Sequence, residues 1–436
     1  MSAGRKQKVH VITMGCVKNT VDSEKLMAQL RRSNFDVVTT AEGADAAVIN
    51  TCGFIDAAKE ESIDMIIAQV KKKGRGSPGR VYAMGCLTER YRTEIAGEIP
   101  ELDGIFGSNQ IPEVVRALGG EYRAELLGER MLTTPSHFAY LKISEGCDNP
   151  CSFCAIPLMR GKHVSRPVEE ILREAETLAA GGVKELIVIG QDTTAYGTDR
   201  YGERRIAALL PMIADVPGIE WVRLMYAYPA HFPEGLLEVL AGHPRVCRYL
   251  DIPVQHAAES VLRSMRRGIS RRALLDLLAG IRDGGVALRT TLIVGYPGES
   301  AAEFSFLESF VRETRFARLG VFTYSREEGT SAYGLGDPVP QEEKERRKGV
   351  IMELQKEISA ERNEALIGTK IRVLIDRADG EMFAGRTERD APEIDNEVFV
   401  TCPGPLAPGT FADVEIHDAT EYDLYGRVQP WSGAPA

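Results

Sequence analysis

The chain contains no run of 18 apolar residues, and its first stretch, "MSAGRKQKVHVITMGC", lacks the apolar segment of a secretory signal. A membrane-spanning or exported protein is therefore not expected. The cytoplasm, where thiols stay reduced, is the expected compartment. Positive charge is also in deficit. Lys and Arg number 53 against 63 Asp and Glu, a net of −10, which excludes a nonspecific nucleic-acid binder as a whole while leaving room for a local basic patch. No low-complexity segment occurs, and no convincing Ser/His/Asp-type catalytic set. What remains is 436 residues, enough for two or three domains with real cores, and eight cysteines. In a reducing compartment, eight cysteines point to metal or catalysis ahead of disulfides.

Three regions differ in pattern. In the first, residues 7–118, "KVHVITMGC", "DAAVINTC" and "RVYAMGC" read as buried strands, and "DGIFGS" as a short fourth. The helices between them, "VDSEKLMAQLRRS" and "AAKEESIDMIIAQVKKK", make this a parallel α/β domain. A polar connector follows, near 119–134. The second region, 133–365, holds six strand candidates: "AYLKISEGC", "ELIVIGQD", "WVRLMYAYP", "YLDIPVQH", "ALRTTLIVGYPGE" and "RLGVFTYSR". Six β/α units of this size predict a partial (β/α)6 barrel with its active groups at the strand C-termini. The third region, 368–434, has short strands between Gly, Pro and Asp turns and predicts a small antiparallel β-barrel of OB-like size.

Six cysteines occupy meaningful positions. Cys147, Cys151 and Cys154, spaced C-x3-C-x2-C in "SEGCDNPCSFC", follow the first strand of the second region. They could be a zinc knuckle short of one ligand, or unrelated core thiols. A 4Fe–4S cluster fits better, because three thiolates leave one iron open to a further ligand. Cys16, Cys52 and Cys86 each end a strand of the first region, one β/α unit apart. Strand C-termini of an open parallel sheet line one crevice, so these three are expected to share a second site of the same kind. Cys247 and Cys402 have no such company and are expected to be structural.

The cysteine triplet, with Phe153 before its last member, resembles the radical S-adenosylmethionine (SAM) superfamily signature. With three N-terminal cysteines and a C-terminal barrel, the chain resembles the radical SAM methylthiotransferases over nearly its whole length. That resemblance implies that SAM fills the open iron and yields a 5′-deoxyadenosyl radical. It also implies that a second cluster, at Cys16, Cys52 and Cys86, handles sulfur, and that the barrel is a TRAM-like substrate grip. Phe153 would pack on the adenine, or else only within its loop. Gly190 and Gln191 stand where the superfamily often has a Gly-Gly-Glu touching the SAM amino group. Gly295, in "TTLIVGYPGES", matches a strand motif beside the adenine. Arg160 and Arg289 are candidates for the SAM carboxylate, with plain ion pairing the alternative. A small electron donor such as flavodoxin or ferredoxin is implied as well.

The family divides by substrate. One branch modifies an adenosine of tRNA; the other modifies the β-carbon of an aspartate in the twelfth small-subunit ribosomal protein. From residue 369 onward thirteen acids face six bases, a net of −7, and an acidic module suits a basic protein better than an RNA backbone. "MGCVKNTVDSE", "CSFCAIPLMRG" and "YLDIPVQH" also resemble the ribosomal-protein branch, whereas tRNA enzymes tend to show Gly-Cys-Gln-Met-Asn. The expected substrate is therefore the ribosomal protein, with tRNA the alternative. A two-cluster electron carrier is the alternative of a different class. His256, after a strand of the catalytic face, is expected either to touch substrate or to be a satisfied loop residue. Glu393, Asp395 and Glu397, in the turn "DAPEIDNE", are expected to carry exposed charge clear of the core.

Overall fold

The computed structural model describes residues 5–126 and 128–428. Residues 429–434, the end of the expected third region, lie outside them. The fold is α/β, with a parallel sheet at the N-terminus, an open six-stranded barrel in the centre and a closed small barrel at the C-terminus.

The first sheet comprises β1 (Lys8–Thr13), β2 (Asp36–Val38), β3 (Ala46–Thr51), β4 (Arg80–Gly85) and β5 (Gly104–Ile105), in the order β2-β1-β3-β4-β5 and all parallel. The fully buried run "AAVINT" of β3 is the central strand, as a strand covered on both faces must be. Strands β1, β3 and β4 are neighbours, so the three cysteines at their C-terminal ends are neighbours too.

The central strands are β6 (Phe138–Lys142), β9 (Glu185–Ile189), β10 (Trp221–Leu224), β11 (Val246–Asp251), β12 (Ala287–Val294) and β13 (Arg318–Thr323). Each pairs in parallel with the next in sequence, and β6 and β13 do not meet. A two-residue antiparallel pair, β7 (Ser144–Glu145) with β8 (Val164–Ser165), closes the base of the loop carrying Cys147, Cys151 and Cys154. The last barrel joins β14 (Lys370–Asp379), β15 (Met382–Thr387), β16 (Val398–Thr401), β17 (Phe411–Ala419) and β18 (Leu424–Val428). Its ladders are antiparallel except β16–β18, which run parallel.

Helix α1 (Val17–Arg32) starts four residues before the expected segment and is not amphipathic in the usual sense. Leu26, Leu30 and Val21 are buried, but so are Lys18, Asn19, Asp22, Ser23, Glu24 and Gln29. The polar face is covered because it packs on the central barrel, where matching charges wait. Glu24 pairs with Arg130 at 2.8 Å, Arg130 with Glu174 at 3.0 Å and Arg166 with Glu174 at 2.8 Å; Glu24, Arg130 and Glu174 have no exposed side-chain surface. Val21 joins Tyr140, Ile187, Trp221 and Tyr249 in the apolar lining of the barrel's inner face.

The C-terminal barrel closes that inner face, and here the exposed-turn expectation fails at Asp395 but holds at Glu393. Asp395 accepts from Tyr249 Oη at 2.7 Å and pairs with Arg289 at 3.3 Å, with its side chain 2% exposed. Glu393 accepts from Tyr140 Oη at 3.0 Å, and Glu397 pairs with Arg377 of the same barrel. Asp390 binds Arg318, and Asp376 binds both Arg386 and His137. Phe411 meets Trp221 edge-on at 4.8 Å. A turn rich in Asp, Glu, Pro and Asn looks solvated in sequence. Asp395 is buried because it answers Arg289 and Tyr249 on the central strands, whereas Glu393 stays exposed and Glu397 is 31% exposed. Asp376, Asp390 and Asp395 are thereby largely withdrawn from the surface, while most of the net of −7 stays on it.

Burial raises the Glu174 carboxyl, but Lys25, Arg166 and Arg130 outweigh it and hold it down to about 2. A carboxyl lowered in the fold stabilises above its unfolded value of 4.5 and loses that effect as pH falls towards 2. Glu174→Gln should therefore cost roughly 3–5 kcal/mol near neutral pH in urea unfolding, because Arg130 and Arg166 lose their charge partner in the interior. The gap from wild type should narrow as pH falls from about 4 to about 2. Asp395→Lys should lower the unfolding free energy by more than about 4 kcal/mol and the urea midpoint with it. An unchanged midpoint would restore the turn to solvent.

Candidate active site between two cysteine triplets

Cys16 caps α1 in extended backbone, Cys52 follows β3, and Cys86 opens the short helix Cys86–Arg90 after β4. The three loops touch. Gly15 has φ +81°, and a Cβ there would lie 2.5 Å from Cys52 Cβ, so only glycine lets the first two cysteine loops meet. Similarly, a Cβ on Gly53 would lie 2.8 Å from Leu87 Cα, where the second and third loops meet. Asn19 Nδ2 donates to Met14 O at 2.8 Å and Thr51 O at 3.0 Å, which fixes the ends of β1 and β3 together. Cys16 is exposed, while Cys52 and Cys86 are buried. Burial pushes both thiols up, Cys86 to about 12, and the charges of Cys16 and Cys52 act on Cys86 in the same direction.

The second triplet lies on the loop between β7 and the helix Ile156–Arg160. Cys147 N–H donates to Gly161 O at 3.1 Å, pinning the loop's start to its end. Asn149 Nδ2 donates to Cys147 Sγ at 3.4 Å, and Arg267 Nη1 to Cys151 Sγ at 3.1 Å. Tyr228 Oη lies 3.5 Å from Cys151 Sγ. Burial raises Cys147 to about 11 and Cys154 to about 12.

The chemistry of the donors tests whether each triplet suits an iron–sulfur cluster. N–H donors aimed at sulfur are wasted on neutral thiols but suit metal-bound thiolates, whose charge they stabilise. Three of the six sulfurs have such a donor, the third being Cys86, which takes Arg160 Nε at 3.2 Å. Among the described residues, no three His, Cys, Asp or Glu side chains stand close enough to share one ion. Thiolates bound to separate irons need not be that close, so both triplets fit a cluster better than a zinc ion.

Arg160 joins the two sets. It follows the Cys147–Cys154 loop, yet its guanidinium reaches the N-terminal crevice, where it binds Cys86 Sγ, Asn19 Oδ1 and Asp22 Oδ2, the last at 2.6 Å. Asp22 also takes Lys142. Burial pushes this carboxyl up, but the two cations hold it down to about 2. Glu145 completes the knot through Lys142 at 2.6 Å, Arg160 at 3.3 Å and Gln191 Nε2 at 2.6 Å.

Other expected site residues fall variously. Phe153 is half-buried and packs with Ala258, Val261, Tyr296 and Tyr324. Gly190 abuts Ser144 Oγ, and Gln191 leaves Oε1 buried without a donor. Gly295 has φ +74° and lies against the Lys344 side chain. Arg289 is taken by Asp251 at 2.8 Å and Asp395 at 3.3 Å, and Arg160 by Asp22 and Glu145. Both arginines are therefore ion-paired within the protein, the alternative to meeting a SAM carboxylate. His256 is fully buried and accepts Ala258 N–H at 3.0 Å on Nδ1, with Nε2 3.8 Å from Glu299. Cys247 is buried in β11, and Cys402 follows β16.

Sequence reasoning missed Lys18, Tyr226, Tyr228 and Arg267. An aromatic pair after β10, "MYAYP", was the one signal for the tyrosines. Lys18 and Arg267 had none, because nothing local tells a buried cation from a solvated one.

Three family models match the chain: Uncharacterized protein family UPF0004 over residues 8–107, the Radical SAM superfamily over 141–311 and the TRAM domain over 367–428. A protein of Cytophaga hutchinsonii named ribosomal protein uS12 methylthiotransferase RimO is 50% identical over 97% of this chain and 98% of its own length. One of Chloroherpeton thalassium with the same name is 49% identical over 97% and 99%. Among solved structures, the radical SAM methyltransferase TsrM from Kitasatospora setae, with cobalamin and a [4Fe-4S] cluster bound, aligns with a TM-score of 0.56. It covers 87% of this chain and 81% of TsrM at 14% identity, a likeness of fold alone. No helix among the described residues is long and apolar enough to cross a membrane.

Alkylation reads the crevice directly. In metal-free protein near pH 8, iodoacetamide should modify exposed Cys16 at least about tenfold faster than Cys86, whose thiol is raised. Equal rates would mean that the crevice is open.

Proposed function

The chain belongs to the family of ribosomal protein uS12 methylthiotransferases, and from that membership we propose how its residues divide the work. The reaction is methylthiolation of an aspartate of uS12 by a radical SAM enzyme that uses SAM and 4Fe–4S clusters. It replaces an unactivated C–H bond with C–S–CH3. Side-chain bases cannot remove such a proton, so radical chemistry is required. When bound, the clusters and SAM supply that radical chemistry and the sulfur.

The chain's own residues hold and orient. Cys147, Cys151 and Cys154 hold the SAM-binding cluster, with Phe153, Gly190, Gln191 and Gly295 around the cofactor. Cys16, Cys52 and Cys86 hold the sulfur-handling cluster. One observation carries this reading: Arg160, leaving the first loop, donates to Cys86 of the second set at 3.2 Å, so the two triplets are parts of one site. A buried, fully paired knot of Asp22, Lys142, Glu145 and Arg160 fixes their separation. Segments 7–118, 133–365 and 368–434 serve as cluster-binding, radical and substrate-side units. The enzyme works in the cytoplasm beside its ribosomal substrate and draws electrons from a small donor of the flavodoxin or ferredoxin kind.

Anaerobic reconstitution should give about eight irons per chain, and changing Cys147, Cys151 and Cys154 to Ala should remove about half. Changing Cys16, Cys52 and Cys86 to Ala should spare 5′-deoxyadenosine formation and abolish methylthiolated uS12. Four irons in the intact protein would sink the two-site reading. Product on tRNA and none on uS12, with both offered under reducing conditions, would overturn the substrate.

A further inference from the structure

Lys18 is the second residue of α1, two beyond Cys16, and is 9% exposed. A buried ammonium needs a partner, since removing it from water costs several kcal/mol. Among the described residues it has no hydrogen bond and no carboxylate within ion-pair distance. Its Nζ instead rests on the face of the Tyr226 ring, 2.8 Å from the centroid. Nearby carboxylates are already committed: Glu145 to Lys142, Arg160 and Gln191, and Asp251 to Arg289 and the Tyr226 N–H.

The surroundings are built to keep it there. Tyr226 follows β10, at the C-terminal end of the central strands, and holds a left-handed backbone at φ +61°. A bulky residue adopts that conformation only where the structure compels it, and such strain gathers at functional positions. The ring is half-buried, and Cys16, at the mouth of the same crevice, is exposed. An unpaired donor thus stands where the N-terminal crevice faces the ends of the central strands.

We infer that Lys18 is a specificity-determining residue that receives the side-chain carboxylate of the target aspartate. This inference rests on the proposed function. The reacting carbon of that aspartate is bonded directly to its carboxylate carbon, so a cation holding the carboxylate fixes the position of that carbon more closely than any other side-chain contact could. Lys18 projects from the Cys16 side, the side from which sulfur must arrive. The ring of Tyr226 steers the ammonium without neutralising it, whereas a resident Asp or Glu would compete with substrate. The other carboxylate in the reaction belongs to the methionine part of SAM, and the test separates the two.

The holoenzyme, loaded anaerobically and given SAM, is titrated with purified uS12 and with uS12 whose target aspartate is changed to Asn. Wild type should bind the Asn form at least about tenfold more weakly, the effect of losing a buried charge-assisted bond. Lys18→Met, similar in length and uncharged, should bind both forms with equal, weakened affinity, and Lys18→Arg should regain part of the difference. SAM affinity should stay within about twofold in both variants. Wild type binding the two uS12 forms equally overturns the inference even if Lys18→Met does not fold. A Lys18→Met enzyme that still discriminates also overturns it, and one that loses SAM affinity instead assigns Lys18 to the cofactor. Failure of the wild-type enzyme to methylthiolate uS12 at all would count against the proposed function, and is scored separately by mass spectrometry of uS12.

Discussion

Everything in this molecule depends on Asp22, a carboxylate on the polar face of α1 held by Lys142 and Arg160 of the central barrel. Burying such a group is costly unless each charge finds its partner with good geometry. That cost is what makes the docking specific. Another placement of the N-terminal sheet would deprive Asp22, Glu24, Lys142 and Arg160 of these partners. The same contact that seats the sheet brings the ends of β1, β3 and β4 opposite the loop after β7, so the structural knot and the reactive site are one arrangement.

The C-terminal barrel follows a related logic on the inner face of the central strands. Arg223, Arg289 and Arg318 are buried or nearly so, and the barrel supplies Asp395, Asp390 and the carbonyl oxygens of Thr387 and Glu388 to them, while its own Arg386 reaches back to Glu185 of β9. Three of its thirteen acids, Asp376, Asp390 and Asp395, are spent on such pairs. The inference from net charge to a basic protein partner reached the substrate that the relatives support, although part of the charge it counted is internal. The barrel's nearer role is to close the open (β/α)6 sheet, which has no strand pair between β6 and β13.

The six cysteines were legible because strand ends in a parallel sheet are legible. Alternating strands and helices place the C-terminal end of each strand on one edge, and Cys16, Cys52 and Cys86 each close a strand. The C-x3-C-x2-C loop is local, so spacing alone identified it. The central strands were readable for the same reason, as short runs of apolar residues bounded by turns. The opening of α1 at Val17 was not, because its first residues are polar and become buried only against another domain.

By itself, then, the sequence determined most of the strands and helices, the position of three thiols after strand ends and three in one loop, and the family to which the chain belongs, all of which are set by local pattern and spacing along the chain. Only the tertiary structure decided the partners of the charged residues. Asp22 and Arg160 are 138 residues apart, and Tyr249 and Asp395 are 146 apart. Arg289 and Arg160 turned out to be ion-paired, His256 buried, Asp395 an interface residue and Lys18 an ammonium without a carboxylate. The physical reason is common to all four. Whether a charge is solvated, paired or waiting for a ligand depends on what packs over it, and that surface comes from elsewhere in the chain.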